Sequence, residues 1–335
     1  MNTMILAQSQ IWFSSVPLDF VHGLDASLAP ILQTLSVFCH HLGGSTFFLG
    51  LISFLYIYFR PKLAFELAFV LLTSGVIGSL LKFYLESPRP FPYPEAFNEK
   101  AFGLPSGHVY SGFVVWGLLT YRIKNLGFRI FAVAVILFMP ISRMYLRVHY
   151  LGDVSLGLAL GITHLLLCIW FFRFLETKNL PHYFILTDKY RTLSLLGVVI
   201  TFFPIVLDTS FLSTEHFESL STAIMASGSL CGFWIGILFY PRFSKPEFLD
   251  WTLPTATFSP KDPKFGLFWQ TIIMRALILC AILILLYVLP GMIVKKTIWG
   301  DNLIVRYARY MLVSFSLVVI FPMILQNIKQ GKFLK

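Results

Sequence analysis

The chain has 335 residues, of which 57% are hydrophobic and only 13% are charged, and its mean hydropathy is +0.76. This composition excludes an ordinary soluble globular protein and indicates an integral membrane protein. The formal net charge is +10, but Lys and Arg are spread over many loops rather than gathered in one stripe, so we expect no nucleic-acid partner.

Apolar stretches of membrane-spanning length recur along most of the sequence. Residues 25–42 alternate apolar and polar positions, with Pro30 early in the segment, which predicts an interfacial helix. Residues 86–105 are rich in proline and polar residues, so this segment should lie at one membrane surface. We predict an all-α, polytopic transmembrane bundle of about nine spans. The predicted spans are residues 44–59, 63–84, 107–121, 128–144, 151–174, 193–211, 220–239, 272–294 and 305–325.

Basic residues predict the orientation of these spans, because cytoplasmic loops are enriched in Lys and Arg. With nine spans, the basic stretches at 60–62, 122–129, 173–191, 242–264 and 329–335 fall on one side. The opposite, non-cytoplasmic side then carries the proline-rich loop and the turn at 145–150, with Lys295 and Lys296 as the main exceptions. We expect residues 1–175 to form a catalytic core and residues 176–335 a C-terminal extension of about four spans without a recognisable motif.

Three short motifs stand at the non-cytoplasmic ends of predicted spans. They are Lys82 with Arg89-Pro90, then Pro105-Ser106-Gly107-His108, and finally Ser142-Arg143 with His149 and Asp153. Charged side chains are costly near a bilayer, so such a group predicts a functional site. The guanidinium forks of Arg89 and Arg143 match phosphate oxygens, and Lys82 adds a compact charge.

The remaining motif residues supply a nucleophile, an acid and a helix start. Ser106 should be the N-cap of a helix, and Gly107 exposes backbone N–H groups that favour an anion. His149 and Asp153 are four positions apart where a helix begins, so the carboxylate can orient the imidazole while its other nitrogen attacks phosphorus. His108 is then the general acid for the leaving alkoxide and the general base for the attacking water.

In combination, K-x6-R-P, P-S-G-H and S-R-x5-H-x3-D resemble the signatures of the type 2 phosphatidic acid phosphatase superfamily. The resemblance covers residues 82–153 by motif and about 42–175 by architecture. It implies a metal-free phosphohistidine mechanism without a cofactor. The implied catalytic residues are His149 as nucleophile, His108 as acid and base, and Asp153 as partner. The implied phosphate ligands are Lys82, Arg89, Ser106, Gly107 and Arg143.

We therefore expect a lipid phosphatase that hydrolyses a phosphomonoester or pyrophosphate on a lipid. Short loops favour a bacterial inner membrane with the active site on the periplasmic side. Three alternatives stand beside this hypothesis. They are phosphotransfer to another acceptor, vanadium haloperoxidase chemistry as in a soluble branch of the superfamily, and a non-catalytic lipid-phosphate transporter or binding protein.

Several other residues are expected to lie outside the site. His40, His41 and His164 have no carboxylate at a useful spacing, so we interpret them as interfacial or packed histidines. Tyr145 and Arg147 are assigned to a solvated loop. The four cysteines are scattered through apolar stretches without a C-x-x-C pair, so we expect neither a disulfide nor a structural metal.

Overall fold

The computed structural model describes residues 12–23, 28–58, 61–91, 99–177, 191–207, 213–243, 263–297 and 299–329. All regular secondary structure in these ranges is helical, so the predicted all-α class is confirmed. From the N-terminus the helices are α1 (Val16–His22), α2 (Ala29–Gly43), α3 (Ser45–Tyr58), α4 (Pro61–Leu85), α5 (Gly107–Arg122), α6 (Leu126–Tyr145) and α7 (Leu151–Thr177). They continue with α8 (Arg191–Ile200), a 3-10 turn (Phe203–Val206), α9 (Thr214–Phe243), α10 (Pro263–Leu283), a π-helical turn (Ile284–Val288), α11 (Leu289–Lys295), α12 (Leu303–Val318) and α13 (Ile320–Lys329).

The described residues contain five helical segments that are long and apolar enough to cross a membrane. They are Lys62–Leu85, Leu126–Tyr145, Leu151–Thr177, Gln270–Lys295 and Leu303–Leu325. Helices α2 and α3 add a sixth if they are taken as one span, although they are bent by 56°. The predicted count of about nine is therefore not confirmed.

Four local features account for the smaller number. Gly44 adopts an extended backbone between α2 and α3, so the predicted interfacial helix and the first predicted span form one bent pair. Helix α5 has only 16 residues, whereas crossing the hydrocarbon core takes about 20. The predicted span at 193–211 is the 10-residue α8 followed by a short 3-10 turn that contains Pro204, and residues 208–211 lie outside the described part of the chain. The predicted span at 220–239 lies inside α9, whose first half is rich in serine and threonine.

The described residues group into two compact units. The first takes its residues from 1–51, 73–173 and 208–223, and the second from 52–72, 174–207 and 224–335. The predicted division at residue 175 differs from this grouping in two places, because 52–72 join the second unit and 208–223 join the first.

Within the first unit, α7 and the start of α5 approach each other closely at a glycine. A Cβ atom at Gly157 would lie 3.0 Å from the carbonyl oxygen of Ser106 and 3.2 Å from Cβ of Val109. The same contact is strengthened by the Ser106 backbone N–H, which donates to the carbonyl oxygen of Asp153 at 3.0 Å. Two of the predicted site segments are thus fixed against each other by backbone contacts.

Within the second unit, a stripe of three glycines on α9 packs against α12. A Cβ atom would lie 2.5 Å from the Tyr307 carbonyl oxygen at Gly228, and 1.9 Å from that of Met311 at Gly232. At Gly236 it would lie 2.8 Å from Cβ of Val318. Small residues four positions apart let two membrane helices approach to backbone contact, and this stripe does so here.

Replacement of Gly232 by Ala should therefore destabilise the protein, because a backbone carbonyl occupies the position of the new methyl group. We expect a loss of about 1–3 kcal/mol, the usual cost of overpacking. Gly50 is a matched control, since it also lies in a helix but has open space around its Cβ position. Gly50→Ala should be neutral or stabilise by up to about 1 kcal/mol. Thermal unfolding in detergent measures both variants, and equal unfolding temperatures would contradict the close approach of α9 and α12.

Candidate active site

The first unit brings all eight predicted site residues into one region. Lys82 lies in the last turn of α4, Arg143 in the last turn of α6, and His149 just before α7. The side chains of Ser106, Arg143, His149 and Asp153 are fully buried, and Lys82 is 8% exposed. Burying several charges without a partner is expensive, so a cluster of this kind indicates a binding or catalytic site.

His149 and Asp153 form the predicted pair. The distance from His149 Nδ1 to Asp153 Oδ2 is 3.1 Å, and the backbone N–H of Tyr150 donates to the same oxygen at 3.0 Å. An ionised carboxylate only accepts hydrogen bonds, so Nδ1 carries the proton and Nε2 keeps its lone pair. The pair therefore leaves the lone pair of Nε2 directed away from Asp153.

Arg89 is held by carbonyl groups and directed at that nitrogen. Its Nε donates to the carbonyl oxygen of Ala101 at 2.7 Å, and one terminal nitrogen donates to that of Val148 at 3.1 Å. The same terminal nitrogen lies 3.3 Å from Nε2 of His149. A guanidinium fixed at this distance can bind the oxygens of a group that His149 attacks.

Lys82 holds the loop that leads to α5. Its Nζ donates to the carbonyl oxygens of Phe102 and Gly103, the second at 3.2 Å. The loop passes close to the His149–Asp153 pair at Gly103, where a Cβ atom would lie 3.0 Å from Oδ2 of Asp153. Lys82 thus adds positive charge to the site. It also positions the loop at Phe102 and Gly103, which forms the wall of the site.

Ser106 is the N-cap of α5, as predicted, with an extended backbone and no side-chain capping bond. Its Oγ is buried without a hydrogen-bond partner among the described residues. A Cβ atom at Gly107 would meet open space. The start of α5 therefore keeps a hydroxyl group and backbone N–H groups available for an anion.

Glu99 is a site residue that the sequence analysis missed. Its Oε2 lies 2.8 Å from a terminal nitrogen of Arg89, and its Oε1 lies 3.0 Å from one of Arg143 and 3.5 Å from Nδ1 of His108. Burial would raise the pKa of Glu99, but His108, Arg143, Arg89 and Lys82 outweigh burial and lower it to about 2. Two of the five predicted phosphate ligands, Arg89 and Arg143, thus contact one carboxylate. Glu99 belongs to none of the three motifs, and its only sequence signal is an acidic side chain between Arg89 and Pro105.

His108 meets this cluster from the start of α5. Its Nδ1 faces Glu99, and its Nε2 is buried without a partner among the described residues. Arg89 contacts both His149 and Glu99, and Glu99 contacts His108, so the two histidines belong to one continuous network. The predicted convergence of the three motifs is present in the structure.

His40 also lies in this network, although it was expected to be an interfacial or packed histidine. Its Nδ1 is 2.6 Å from a terminal nitrogen of Arg143, and its ring is stacked on that of His108. His164 matches the expectation, because its ring nitrogens bond to the hydroxyls of Tyr110 and Thr73. Sequence spacing could not reveal His40, because it lies on a separate helix and is far from the motifs along the sequence.

Tyr145 and Arg147, both excluded from the site, have other partners. Tyr145 is the buried last residue of α6, so its assignment to a solvated loop was wrong. Arg147 pairs with Asp19 at 2.7 Å, and the Tyr145 hydroxyl donates to the carbonyl oxygen of Ala29 at 3.0 Å. Both therefore connect the turn before α7 to the N-terminal helices, and the prediction that they lie outside the site agrees with these contacts.

The C-terminal extension contributes a residue beside the site wall. His216, in the first turn of α9, lies 3.0 Å from an oxygen of Glu86 through its Nε2. Its ring packs edge-on against Phe102 at 4.8 Å and against Phe83 at 5.4 Å. Phe102 supplies one of the carbonyls that hold Lys82, so the extension contacts the wall of the site.

His40, Glu99 and His108 could hold a metal ion by donor type, because their ligand atoms lie within 4.8 Å of one another. Arg143, however, contacts both His40 and Glu99, and Arg89 contacts Glu99. A divalent cation would displace these contacts and would be repelled by the positive charges of Lys82, Arg89 and Arg143. The donor set therefore fits an anion better than a metal ion.

The four cysteines, all within the described residues, form no disulfide.

Comparison with known proteins gives three matches. Residues 63–176 match the family model of the PAP2 superfamily. Phosphatidylglycerophosphatase B of Bacillus subtilis (strain 168) is 30% identical over 135 residues, which cover 36% of this chain. The match spans 66% of that relative's length, just under two thirds. The crystal structure of LpxE from Aquifex aeolicus is similar with a TM-score of 0.38 and 19% identity, covering 46% of this chain and 92% of that one.

Proposed function

Because the chain belongs to the PAP2 superfamily through residues 63–176, we propose that it is an integral-membrane phosphatase that hydrolyses a lipid phosphate or pyrophosphate. The observation that carries this proposal is the position of the Glu99 carboxylate. Arg89, Arg143 and His108 all contact it, and Arg89 also lies 3.3 Å from Nε2 of His149. An anion bound there would place its central atom within reach of a nucleophile.

In the proposed reaction the phosphoryl group replaces the Glu99 carboxylate on Arg89 and Arg143. Nε2 of His149 attacks phosphorus, so that a P–N bond forms while the P–O bond to the lipid breaks. His108 gives a proton to the leaving oxygen. His108 then takes a proton from water, which attacks phosphorus and breaks the P–N bond to release orthophosphate. The arginines stabilise the charge on the equatorial oxygens in both steps.

The proposed phosphate ligands are Lys82, Arg89, Ser106, Gly107 and Arg143, and Asp153 is the proposed partner that fixes the His149 tautomer. The cations neutralise the dianion without requiring a metal ion or other cofactor. The site is proposed to lie at headgroup depth on the non-cytoplasmic side, as the distribution of basic loops predicts. A bacterial inner membrane with a periplasmic active site accords with the short loops, and the lipid enters between helices.

Phosphate release from a panel of lipids tests this function. The purified protein in detergent is given phosphatidic acid, phosphatidylglycerol phosphate, undecaprenyl pyrophosphate and a sphingoid phosphate, with and without EDTA. We expect release of orthophosphate from at least one lipid at a rate that EDTA does not change. Label that appears on an acceptor would instead show phosphotransfer, and halide oxidation after vanadate addition would show peroxidase chemistry. Binding without turnover by wild-type protein would favour the transporter alternative.

The pH dependence of turnover should reflect the surroundings of His149. Burial first, then the charges of Arg89, Lys82, Arg143 and His108, lower the pKa of His149 well below its usual range. The nucleophile therefore stays neutral at neutral pH, and kcat/KM should not fall on acidification until the pH is well below about 6.5, the ordinary histidine value. An acidic limb at or above that value, measured with a short-chain phosphate ester, would contradict this assignment.

The same shift has a consequence for stability. A histidine whose pKa is lower in the folded state than in the unfolded state binds fewer protons when folded. Its contribution to folding is therefore fully present above about pH 6.5 and is lost as the pH falls below that value. Thermal unfolding of wild type and of His149→Asn at a series of pH values measures the difference.

A further inference from the structure

His40 contacts two of the proposed catalytic and phosphate-binding residues although it precedes the region that matches the superfamily, which begins at residue 63. It lies on α2, one turn before the bend at Gly44. Its Nδ1 is 2.6 Å from Arg143, and its ring lies 4.8 Å from that of His108 with an angle of 21° between the planes. These two contacts require the end of α2 to be held firmly against α5 and α6.

Three independent contacts hold it there. The indole N–H of Trp116 in α5 donates to the carbonyl oxygen of Leu42 at 3.2 Å. At the other end of α2, the Tyr145 hydroxyl donates to the carbonyl oxygen of Ala29 at 3.0 Å. A Cβ atom at Gly43 would lie 2.8 Å from the Met139 side chain and 3.2 Å from the His108 ring, so α2 packs closely against both residues at this point. The chain therefore fixes the position of His40 by packing on both sides.

The contact with Arg143 orients that side chain. A guanidinium has only donors, so Nδ1 of His40 must be the acceptor. One terminal nitrogen of Arg143 is thus held by His40 while the other points at Glu99, 3.0 Å away. An arginine with one end fixed in this way loses less freedom when its other end binds an oxyanion.

The stacking of His40 on His108 holds the plane of the His108 ring. Stacking of the two rings restrains rotation of the His108 side chain, which is proposed to carry the proton. The charged or titratable groups that face His40 are Arg143, Glu99, His108 and the neighbouring His41. His40 thus lies between the proposed phosphate ligand and the proposed proton carrier.

We propose that His40 is a positioning residue, which holds Arg143 in the phosphate-binding orientation through its Nδ1 and His108 in plane through its ring. The proposal rests on the proposed function. It does not require His40 to touch the phosphoryl group. The two contacts use different parts of the imidazole, so two substitutions can remove them separately.

His40→Phe keeps a ring on His108 but has no acceptor for Arg143. We expect orthovanadate and orthophosphate to bind about tenfold more weakly or worse, since a hydrogen bond to a charged group is lost. kcat/KM should fall with the affinity.

His40→Asn keeps an acceptor oxygen near the position of Nδ1 but has no ring. It should retain inhibitor affinity within about threefold while kcat falls roughly two- to tenfold, the worth of an aromatic contact, and the basic limb of the kcat profile should shift.

His41→Asn is the matched control, because His41 is the next residue on the same helix and is exposed. It should change neither inhibitor affinity nor kcat. If both His40 variants behave like this control, the proposal is wrong. It is also wrong if both lose affinity and turnover equally together with a lower unfolding temperature, because that would show a purely structural role.

Orthophosphate binding by calorimetry needs no turnover, so it separates this proposal from the proposed function. Weaker binding in His40→Phe, with retained binding in His40→Asn, supports the role of Nδ1 even if no lipid in the panel is hydrolysed. Absence of hydrolysis by wild type would then count against the phosphatase proposal only. Unchanged binding in His40→Phe would overturn the Arg143 contact whatever the turnover.

Discussion

His149→Asn should lower kcat by at least about 10⁴-fold, as expected when the nucleophile of a covalent mechanism is removed. The amide of Asn can still donate to Oδ2 of Asp153 in place of Nδ1, which lies 3.1 Å from that oxygen. The variant should therefore keep the local contacts but present no nitrogen with a lone pair to the phosphoryl group. Released orthophosphate measures the loss.

The covalent intermediate gives a second readout of the same change. Wild type mixed with a labelled lipid phosphate and quenched in alkali should carry label that is released by acid, as expected of an N–P bond, and the variant should carry none. Turnover by His149→Asn within about tenfold of wild type would exclude a phosphohistidine and leave general-base attack by water as the mechanism.

Asp153→Asn should lower kcat by about 10²–10⁴-fold, the range found when the orienting acid of a catalytic triad loses its charge. Oδ2 of Asp153 accepts from both His149 and the Tyr150 backbone, and the single oxygen of Asn can accept both bonds. Only the negative charge is removed, which otherwise stabilises the imidazole as it becomes positive on attack. Orthophosphate affinity should change little, because Asp153 is not a proposed phosphate ligand.

The unfolding temperature of Asp153→Asn distinguishes a loss of catalysis from a simple folding defect. Asp153 is fully buried, so an amide removes a desolvation cost, but it also removes the attraction of Lys82 and Arg89 for the carboxylate. The two effects oppose each other, so we expect only a small change in the unfolding temperature. A fall in kcat of less than about tenfold would show that Asp153 serves mainly the helix start rather than the nucleophile.

The sequence predicted the motif residues together because the geometry of membrane helices links them. Span ends on one side of a bilayer lie at one level, so Lys82, Arg143 and the start of α7 could be placed together without coordinates. The spacing of four between His149 and Asp153 is a local property of a helix start, and the structure shows the contact at 3.1 Å. Both inferences use distances that secondary structure alone determines.

Glu99 and His40 could not be found in this way. Glu99 lies in a non-helical loop, so no periodicity relates it to the arginines that it contacts. His40 lies on a helix whose junction with α3 was interpreted as the boundary between an interfacial segment and a span. The extended backbone at Gly44 makes that boundary a bend, and only tertiary packing shows which residues the bend brings to the site.

The predicted number of spans is not confirmed in the described residues for a related reason. Apolar composition identifies a segment that avoids water, but it does not distinguish a long straight helix from a short or interrupted one. Pro204 in a 3-10 turn and the 16-residue α5 are examples. Serine-rich α9 shows the converse, since glycines and small polar residues there serve helix contact rather than contact with lipid.

The contacts of His216 mean that residues 1–175, which carry the proposed active site, are not a detachable module. The start of α9 belongs to the first unit, and the intervening residues 174–207 belong to the second. A version shortened after α7 would lack His216 and therefore its ring contacts with Phe83 and Phe102. The carbonyl oxygen of Phe102 accepts a hydrogen bond from Lys82. Any minimal enzyme engineered from this protein must retain residues 213–223, and a chimaera that exchanges the C-terminal half would replace part of the active-site wall along with it.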